Sequence, residues 1–466
     1  MEKQLKTKET EIWTKDKNHV IHPYTNFNNF KKEGSVIYEK GKDHHIYDMY
    51  GKEYIDGIAG LWCVNIGHGN EEISEAMADQ SRKLAYYNTF EDAGSIPAAD
   101  LGAKIASLCP QDLNHVFFGT GGSMANDTAI KMIHYYYNLI GKPNKKKIIS
   151  RDLAYHGSTY LAHALTGISS THLAFDLPMN MIHYLTAPYA YRNQNELSET
   201  EFCDFLIDEM ENYILIEGAE NIACFIAEPI MGAGGVIVPP KGYHKRTYEL
   251  CKKYDIFYIS DEVVTAFGRL GHMVTSEEMF GIRPDVIVMA KGLSSGYVPL
   301  GATVISDEIY EVISRPKKEN PYFSHGFTYS GHPLCCEVGL KNIEILERDE
   351  FCQHVQKWGP YFEQQLKTLS DLDIVGDVRG SHYMLSLELV AYKTTKFAFE
   401  PEIGIAKRVY HHARKMGLIV RPIGALIVLS PPLTFDKTAI DQSILILRKS
   451  IELTMDDLLR EKIWKN

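Results

Sequence analysis

No stretch of about 18 uninterrupted apolar residues occurs in the chain, which leaves no candidate for a bilayer-crossing helix. Positive charge is in short supply: Lys plus Arg number 49 against 60 Asp plus Glu, a formal net charge of −11. A general nucleic-acid binder needs a basic face, so that class is set aside; one local pocket for a small anion stays compatible with the balance. None of the eight cysteines (63, 109, 203, 224, 251, 335, 336, 352) belongs to a Cys-x-x-Cys pair, and most lie in apolar runs such as IACFIAEP and PLCCEVGL. Buried thiols in a reducing compartment are expected, not a disulfide framework, and no metal site is assigned. The opening MEKQLKTKETEIWTKDKNHV carries no apolar segment behind its positive charges, so no secretory leader and a cytoplasmic location are expected. Internal repeats, low-complexity tracts and Pro/Ser-rich linkers are absent; the clearest polar interruptions are GKPNKKK (141–147) and YRNQNELSETE (191–201).

What is present is a chain of 466 residues, 45% hydrophobic and 23% charged, long enough for a large core and more than one domain. Between about residues 75 and 330, short apolar runs alternate with longer helical patterns. HVFFG (115–119), KKIIS (146–150), ACFIAEP (223–229), IFYISDE (256–262), DVIVMAKG (285–292) and GATVIS (301–306) read as strands. Several lack in–out alternation, the pattern of a parallel sheet covered on both faces. In ANDTAIKMIHYYYN, Ala125, Ala129, Met132, Ile133, Tyr136 and Tyr137 share one helical face. The reading is α/β, with a mostly parallel central sheet flanked by helices over 75–330. Residues 1–74 and 331–466, which mix short strands and helices, are expected to join in a smaller α+β domain.

In an open parallel sheet, ligands sit beyond the carboxyl ends of the strands, and three strand ends carry chemistry. FFGTGGSMANDTA (117–129) runs from a strand through a glycine-rich turn into a helix, where backbone N–H groups and the helix dipole favour a phosphate. Ser123 is placed at the N-cap, free to bond that phosphate or its own helix. Gly119 and Gly121 also fit a dinucleotide fingerprint, but Met124 occupies the third glycine's place and Asp152 comes late for the acidic partner, so an NAD-dependent dehydrogenase is the weaker reading. Asp261 ends the FYIS run, where a semi-buried carboxylate can hold a proton on a heteroaromatic nitrogen. Lys291 ends VIVMA, where desolvation eases loss of its proton and makes it a Schiff-base nucleophile. A phosphate cradle, a carboxylate for a ring nitrogen and an amine for an aldehyde are the parts that hold pyridoxal phosphate.

The chain resembles the class III pyridoxal-phosphate aminotransferases of fold type I, in their ω-amine:pyruvate branch. The motifs are HPYTNF (22–27), GLWCVNIGHG (60–69), YYNTF (86–90), AYHGST (154–159), AEPIMGAGG (227–235), DEVVTAFGRLG (261–271), AKGLSSGYVPLGA (290–302), GFTYSGHP (326–333), VRPIG (420–424) and SPPL (430–433). The resemblance implies that Lys291 forms the Schiff base and shuttles the proton, and that Asp261 keeps the pyridine nitrogen protonated. It implies that Tyr155 and Val263 cover the two ring faces, that Gly122 and Ser123 bind phosphate, and that Thr328 reaches it from a neighbouring subunit. It places Tyr24, Trp62, Phe90 and Ala233 in the substrate pocket and makes Arg421 the mobile arginine for the acceptor's carboxylate. The implied enzyme is a ping-pong ω-aminotransferase that moves an amino group from a primary amine or ω-amino acid to pyruvate, giving alanine. It would be a homodimer with shared active sites, or a tetramer.

The chain departs from the family pattern at Gly121 and Met124, which replace the Ser and Glu of SGSEA, and at Ala425, which replaces the Asp after RPIG. Glu91 stands where relatives often carry an aromatic. A 2-oxoglutarate-dependent enzyme or an aminomutase of the same fold, and a non-catalytic pyridoxal-phosphate-binding relative, stay open beside the main reading.

Overall fold

The computed structural model describes residues 2–193, 196–315 and 322–464, so residues 194–195 of the polar YRNQNELSETE segment lie outside the described residues. Three short strands come first: β1 (Tyr38–Lys42), β2 (His45–Asp48) and β3 (Glu53–Asp56). The central sheet follows, built from β4 (Leu113–Gly119), β5 (Lys147–Arg151), β6 (Ile182–Leu185), β7 (Ile222–Ala227), β8 (Phe257–Asp261), β9 (Val286–Met289) and β10 (Gly301–Ser306), in the spatial order β4-β10-β9-β8-β7-β5-β6. All pairs are parallel except those of β10, which runs against both β9 and β4. The chain therefore has the α/β fold read from its sequence, and all six strand candidates appear. The sequence reading missed β6, an edge strand of four residues, IHYL, too short to set up a pattern of its own.

Every residue of β7, β8, β9 and β10 is buried, which explains their unbroken apolar runs. Successive side chains still point to opposite faces. Ile148, Cys224, Ile226 and Ile259 pack on one side beneath the helix Gly122–Leu139, whereas Ile149, Phe225, Ala227 and Tyr258 pack on the other beneath the helix Glu199–Glu217. The stripe Ala125, Ala129, Met132, Ile133, Tyr136 and Tyr137 faces the sheet, each member at most 8% exposed.

The C-terminal strands are β11 (Val375–Ser381), β12 (Met384–Leu389), β13 (Leu418–Ile419), β14 (Arg421–Ile423) and β15 (Leu426–Leu429). They form an antiparallel sheet β11-β12-β15-β14, while β13 leaves to pair in parallel with β3. The two ends of the chain thus share a sheet. Helices Phe351–Lys367, Ile405–Lys415 and Lys437–Arg460 cover these strands. Among the described residues no helix is long and apolar enough to cross a membrane, and all eight cysteines are free thiols.

Reversal of β10 has a local consequence. It sets Gly301, the first residue of β10, beside Gly119, the last of β4. A Cβ on Gly301 would lie 2.6 Å from Gly121 O and 2.9 Å from Gly121 N, so only glycine lets the turn after β4 settle against β10.

Ile133 is fully buried at the centre of the helix–sheet contact. Ile133→Ala is expected to lower the unfolding free energy by about 2–5 kcal/mol. In the same urea titration Leu445→Ala, at a position 69% exposed, is expected to stay within about 0.5 kcal/mol of the parent.

Candidate active site

The ends of β4, β5, β7, β8 and β9, with the β14 edge, enclose a cavity of ≈ 520 Å³. It brings together Tyr24, Trp62, Gly122, Ser123, Tyr155, Ala233, Asp261, Val263, Lys291 and Arg421. Of the site residues read from the sequence, Phe90 and Thr328 alone lie outside it. They are exposed and sit on one patch: Phe90 packs beside Gly326, and Tyr86 Oη donates to the Thr328 carbonyl at 2.6 Å.

Asp261 is 4% exposed at the end of β8. Its Oδ2 accepts from Asn126 Nδ2 and His156 Nδ1, both at 2.8 Å, and its Oδ1 accepts from the Val263 N–H at 3.1 Å. Asn126 Nδ2 also donates to the His156 carbonyl at 2.7 Å, so acid, amide and imidazole form one buried unit. The sequence reading assigned no role to Asn126 or His156. The signal for Asn126 was a polar side chain on the apolar stripe of its helix, and for His156 its place directly after Tyr155 beyond a strand end.

Lys291 leaves β9 into a single 3₁₀ turn, Lys291–Leu293, with φ at 42°, a left-handed conformation uncommon outside glycine. Tyr24 (φ 51°) and Trp62 (φ 58°), which also line the cavity, share this feature. Among the described residues nothing pairs with Lys291 Nζ through a hydrogen bond or salt bridge. Burial holds its pKa below the ordinary lysine value; the nearby Asp261 carboxylate opposes that, and Arg421 adds to it.

Ser123 is not the N-cap. The cap is Gly121, extended at φ 169° with no side-chain bond to the helix, and Ser123 is the second helical residue. Its hydroxyl instead accepts the Ser158 N–H at 3.0 Å. The first N–H groups of the helix Gly122–Leu139 are therefore free of any side-chain cap beside the cavity. Ser158 Oγ in turn meets Tyr155 Oη at 3.2 Å and Tyr24 Oη at 3.0 Å. Burial pushes the Tyr155 phenol up to about 12, which keeps it a neutral donor.

Glu228, buried beyond β7, is a further cavity residue that the sequence reading passed over. Its Oε1 accepts the Tyr155 N–H at 3.0 Å, its Oε2 accepts the Gly232 N–H at 2.7 Å, and burial raises its pKa. Arg421, on β14, lies 5.4 Å from the centre of the Trp62 ring with Nε buried and unpartnered among the described residues.

The class III aminotransferase family matches residues 28–451. The chain belongs to the class III aminotransferases. It is 40% identical over 450 residues to the putrescine–pyruvate aminotransferase of Pseudomonas aeruginosa, covering 96% of this chain and 97% of that protein. To the mitochondrial gamma aminobutyrate transaminase 1 of Solanum lycopersicum it is 40% identical over 421 residues, 90% of this chain and 82% of that one. Its structure superposes on the (S)-enantioselective omega-transaminase of Thermomicrobium roseum with a TM-score of 0.92 at 40% identity, covering 97% and 99% of the two chains.

Membership of this enzyme family, whose members use pyridoxal phosphate, replaces the dehydrogenase and non-catalytic readings, and the cavity fits that cofactor. A free amine, a buried carboxylate and uncapped helix N–H groups converge on it. The missing side chain of Gly122 matters as well: a Cβ there would come within 2.9 Å of Val263 Cγ2. Gly122→Val is expected to weaken pyridoxal-phosphate affinity by roughly 10–200-fold, the scale on which a methylene-sized misfit is felt in a packed pocket; titration of apoprotein with cofactor measures it. Because burial lowers the Lys291 pKa, its uncharged, nucleophilic form is present at lower pH than for a solvated lysine. The rate of cofactor loading should rise with pH and level off above a midpoint below about 10.4, the ordinary lysine value. A midpoint at or above that value contradicts the assignment.

Proposed function

We propose that this aminotransferase is an ω-aminotransferase that takes an amino group from a primary amine or ω-amino acid and delivers it to pyruvate, releasing alanine. The observation that carries the acceptor is the charge of the cavity wall. Arg421 is the one guanidinium among the described lining residues, and it faces an aromatic ring rather than an acid. A single unpaired guanidinium suits one carboxylate held bidentately, as in pyruvate, and leaves the second carboxylate of 2-oxoglutarate without a partner. Stacking on Trp62 gives the cation an alternative resting place when an uncharged amine is bound. Tyr24 and Trp62 offer apolar surface to the amine's carbon chain, with burial contributing about 25 cal/mol per Å².

Pyridoxal phosphate, when bound, supplies the carbonyl that receives the amino group and a ring that withdraws electrons from the substrate's Cα. The chain's residues supply the rest. Lys291 Nζ would hold the cofactor and carry the proton at the substrate's Cα. Asp261, oriented by His156 and Asn126, holds a proton on the ring nitrogen, since an anion in a buried site strongly favours a cationic neighbour. Tyr155 and Val263 would bracket the ring, and Gly122 and Ser123 would take the phosphate through the helix N-terminus.

Phe90 and Thr328 fit this scheme through a homodimer. Their patch is aromatic and exposed, with Tyr329 57% and Phe90 48% accessible and Tyr86 packed edge-on to Tyr329 at 5.8 Å. A second copy would cover that surface and bring Thr328 of the partner subunit to the phosphate. A cytoplasmic location accompanies the proposal.

Three measurements test it. Lys291→Ala is expected to lower turnover of amine plus pyruvate by at least roughly 10²–10⁴-fold; wild-type rates in that variant would remove the lysine's role. Arg421→Ala is expected to raise the KM for pyruvate about 10–100-fold, the scale of a lost hydrogen bond to a charged group, while the half-reaction with an uncharged amine changes only a few-fold. Discharge of the amino form by 2-oxoglutarate and not by pyruvate would overturn the acceptor assignment.

A further inference from the structure

Ala233 reaches the cavity from the tip of a tight loop, residues 231–237, and the contacts on either side of that tip are unusual. The loop is closed by a two-way backbone bridge between Met231 and Ile237, and Gly235 N and Val236 N both donate to Gly232 O. On one flank Glu228 takes the Gly232 N–H, as described above. On the other, Arg379 of β11 donates from Nε to the Gly235 carbonyl at 2.9 Å. Arg379 lies between two acids, with Nη1 2.8 Å from Asp377 Oδ2 and 2.9 Å from Glu388 Oε2. Its side chain is only 10% exposed and that of Glu388 6%.

The network extends further. The Arg192 Nε donates to Glu388 Oε1 at 2.7 Å, the Tyr189 hydroxyl donates to Glu388 Oε2, and the Arg379 guanidinium lies 4.6 Å from the centre of the Tyr189 ring. Every group in it except Gly235 belongs to β11, β12 or the 189–192 segment, none of which lines the cavity. The glycines show how closely the loop is held. A Cβ on Gly234 would collide with the Leu153 carbonyl, two residues before Tyr155. Gly235 has φ at 126°, and a Cβ there would lie 2.7 Å from Leu426 Cδ1 and 3.0 Å from Arg379 Nη2. Leu426 opens β15, the strand that pairs with the Arg421 strand on one side and the Glu388 strand on the other.

We propose that Arg379 is a specificity-determining positioning residue: by tying Gly235 O to the ion pairs of the C-terminal sheet, it fixes how far Ala233 projects into the cavity and hence the size of amine donor admitted. The inference rests on the ω-aminotransferase reading for its substrates but not for its geometry. Arg379 touches neither amine nor cofactor and acts only through the loop. Two acids hold the guanidinium in place and Nε is left to grip the carbonyl, a division of labour that lysine's single ammonium does not reproduce.

The test is Arg379→Lys, which keeps a cation for Asp377 and Glu388 and removes the Nε contact. Two readouts are taken on the cofactor-loaded protein: hydrogen exchange of the 230–237 segment, and kcat/KM for a short alkyl amine and a bulky arylalkyl amine with pyruvate. The expected result is at least tenfold faster exchange in that segment and a roughly tenfold rise in the bulky-to-short ratio, with kcat for the better donor changed less than its KM. An unchanged ratio despite faster exchange overturns the specificity role; unchanged exchange overturns the tie itself. Leu426→Ala, which thins the packing against Gly235 but leaves the Arg379 contact, is the second variant and covers the case in which Arg379→Lys does not fold. A ratio within twofold of wild type there supports the proposal, whereas a tenfold change assigns the wall to packing and overturns it. If wild type transfers from no amine at all, the functional reading fails, and the exchange measurement still decides whether Arg379 holds the loop.

Discussion

The structure is organised around one expensive group, the carboxylate of Asp261. Removing an ionised carboxyl from water costs several kcal/mol unless its lone pairs are met. Here three donors from separate stretches of chain meet them: Asn126 from the helix Gly122–Leu139, His156 from the segment after β5, and the backbone of Val263 from its own turn. Each donor brings a functional neighbour with it. The helix that supplies Asn126 starts at the uncapped turn, the segment with His156 carries Tyr155, and the turn with Val263 carries the opposite wall of the cleft. Satisfying the acid and assembling the site are the same act of folding.

The lysine completes this constraint from the adjacent strand. Side by side in the sheet, β8 and β9 end at Asp261 and just before Lys291, so parallel pairing alone brings acid and amine to the same edge. Burial drives the lysine toward its uncharged form, and the acid's charge works against it. That balance suits an amine that must be nucleophilic at one moment and carry a proton at another.

Legibility in the sequence followed the range of the interaction. The buried strands and the 3.6-residue stripe of Gly122–Leu139 were readable because burial on two faces, or on one helical face, leaves a pattern within a few residues. Asp261 and Lys291 were readable because each breaks such a pattern at a strand end. The Asn126–His156–Asp261 unit was not, since its members are separated by 30 and 105 residues and each alone passes for an ordinary polar residue. Arg379 was hidden for the same reason: Gly235 lies 144 residues away. The Ser123 cap was misread because Gly121 and Gly122 allow the helix to start earlier than a serine cap would, and only the backbone angles reveal it.

The departures from the family pattern acquire physical meaning in this setting. Met124 offers its sulfur to the Thr120 hydroxyl, so the turn after β4 is braced without a carboxylate, and the first helical turn carries no acid. Gly121 has nothing within 4 Å of where a Cβ would stand, so packing does not demand glycine there, and the close approach that does require glycine lies opposite, at Gly301. Ala425 sits in the hairpin between β14 and β15, where Gly424 makes the turn at φ 56° and the Ala425 carbonyl accepts the Leu389 N–H at 2.9 Å. The Arg421 strand is thus registered by main-chain pairing, Arg421 opposite Val428, rather than by an acidic side chain. The guanidinium has the Trp62 ring as its neighbour inside the protein.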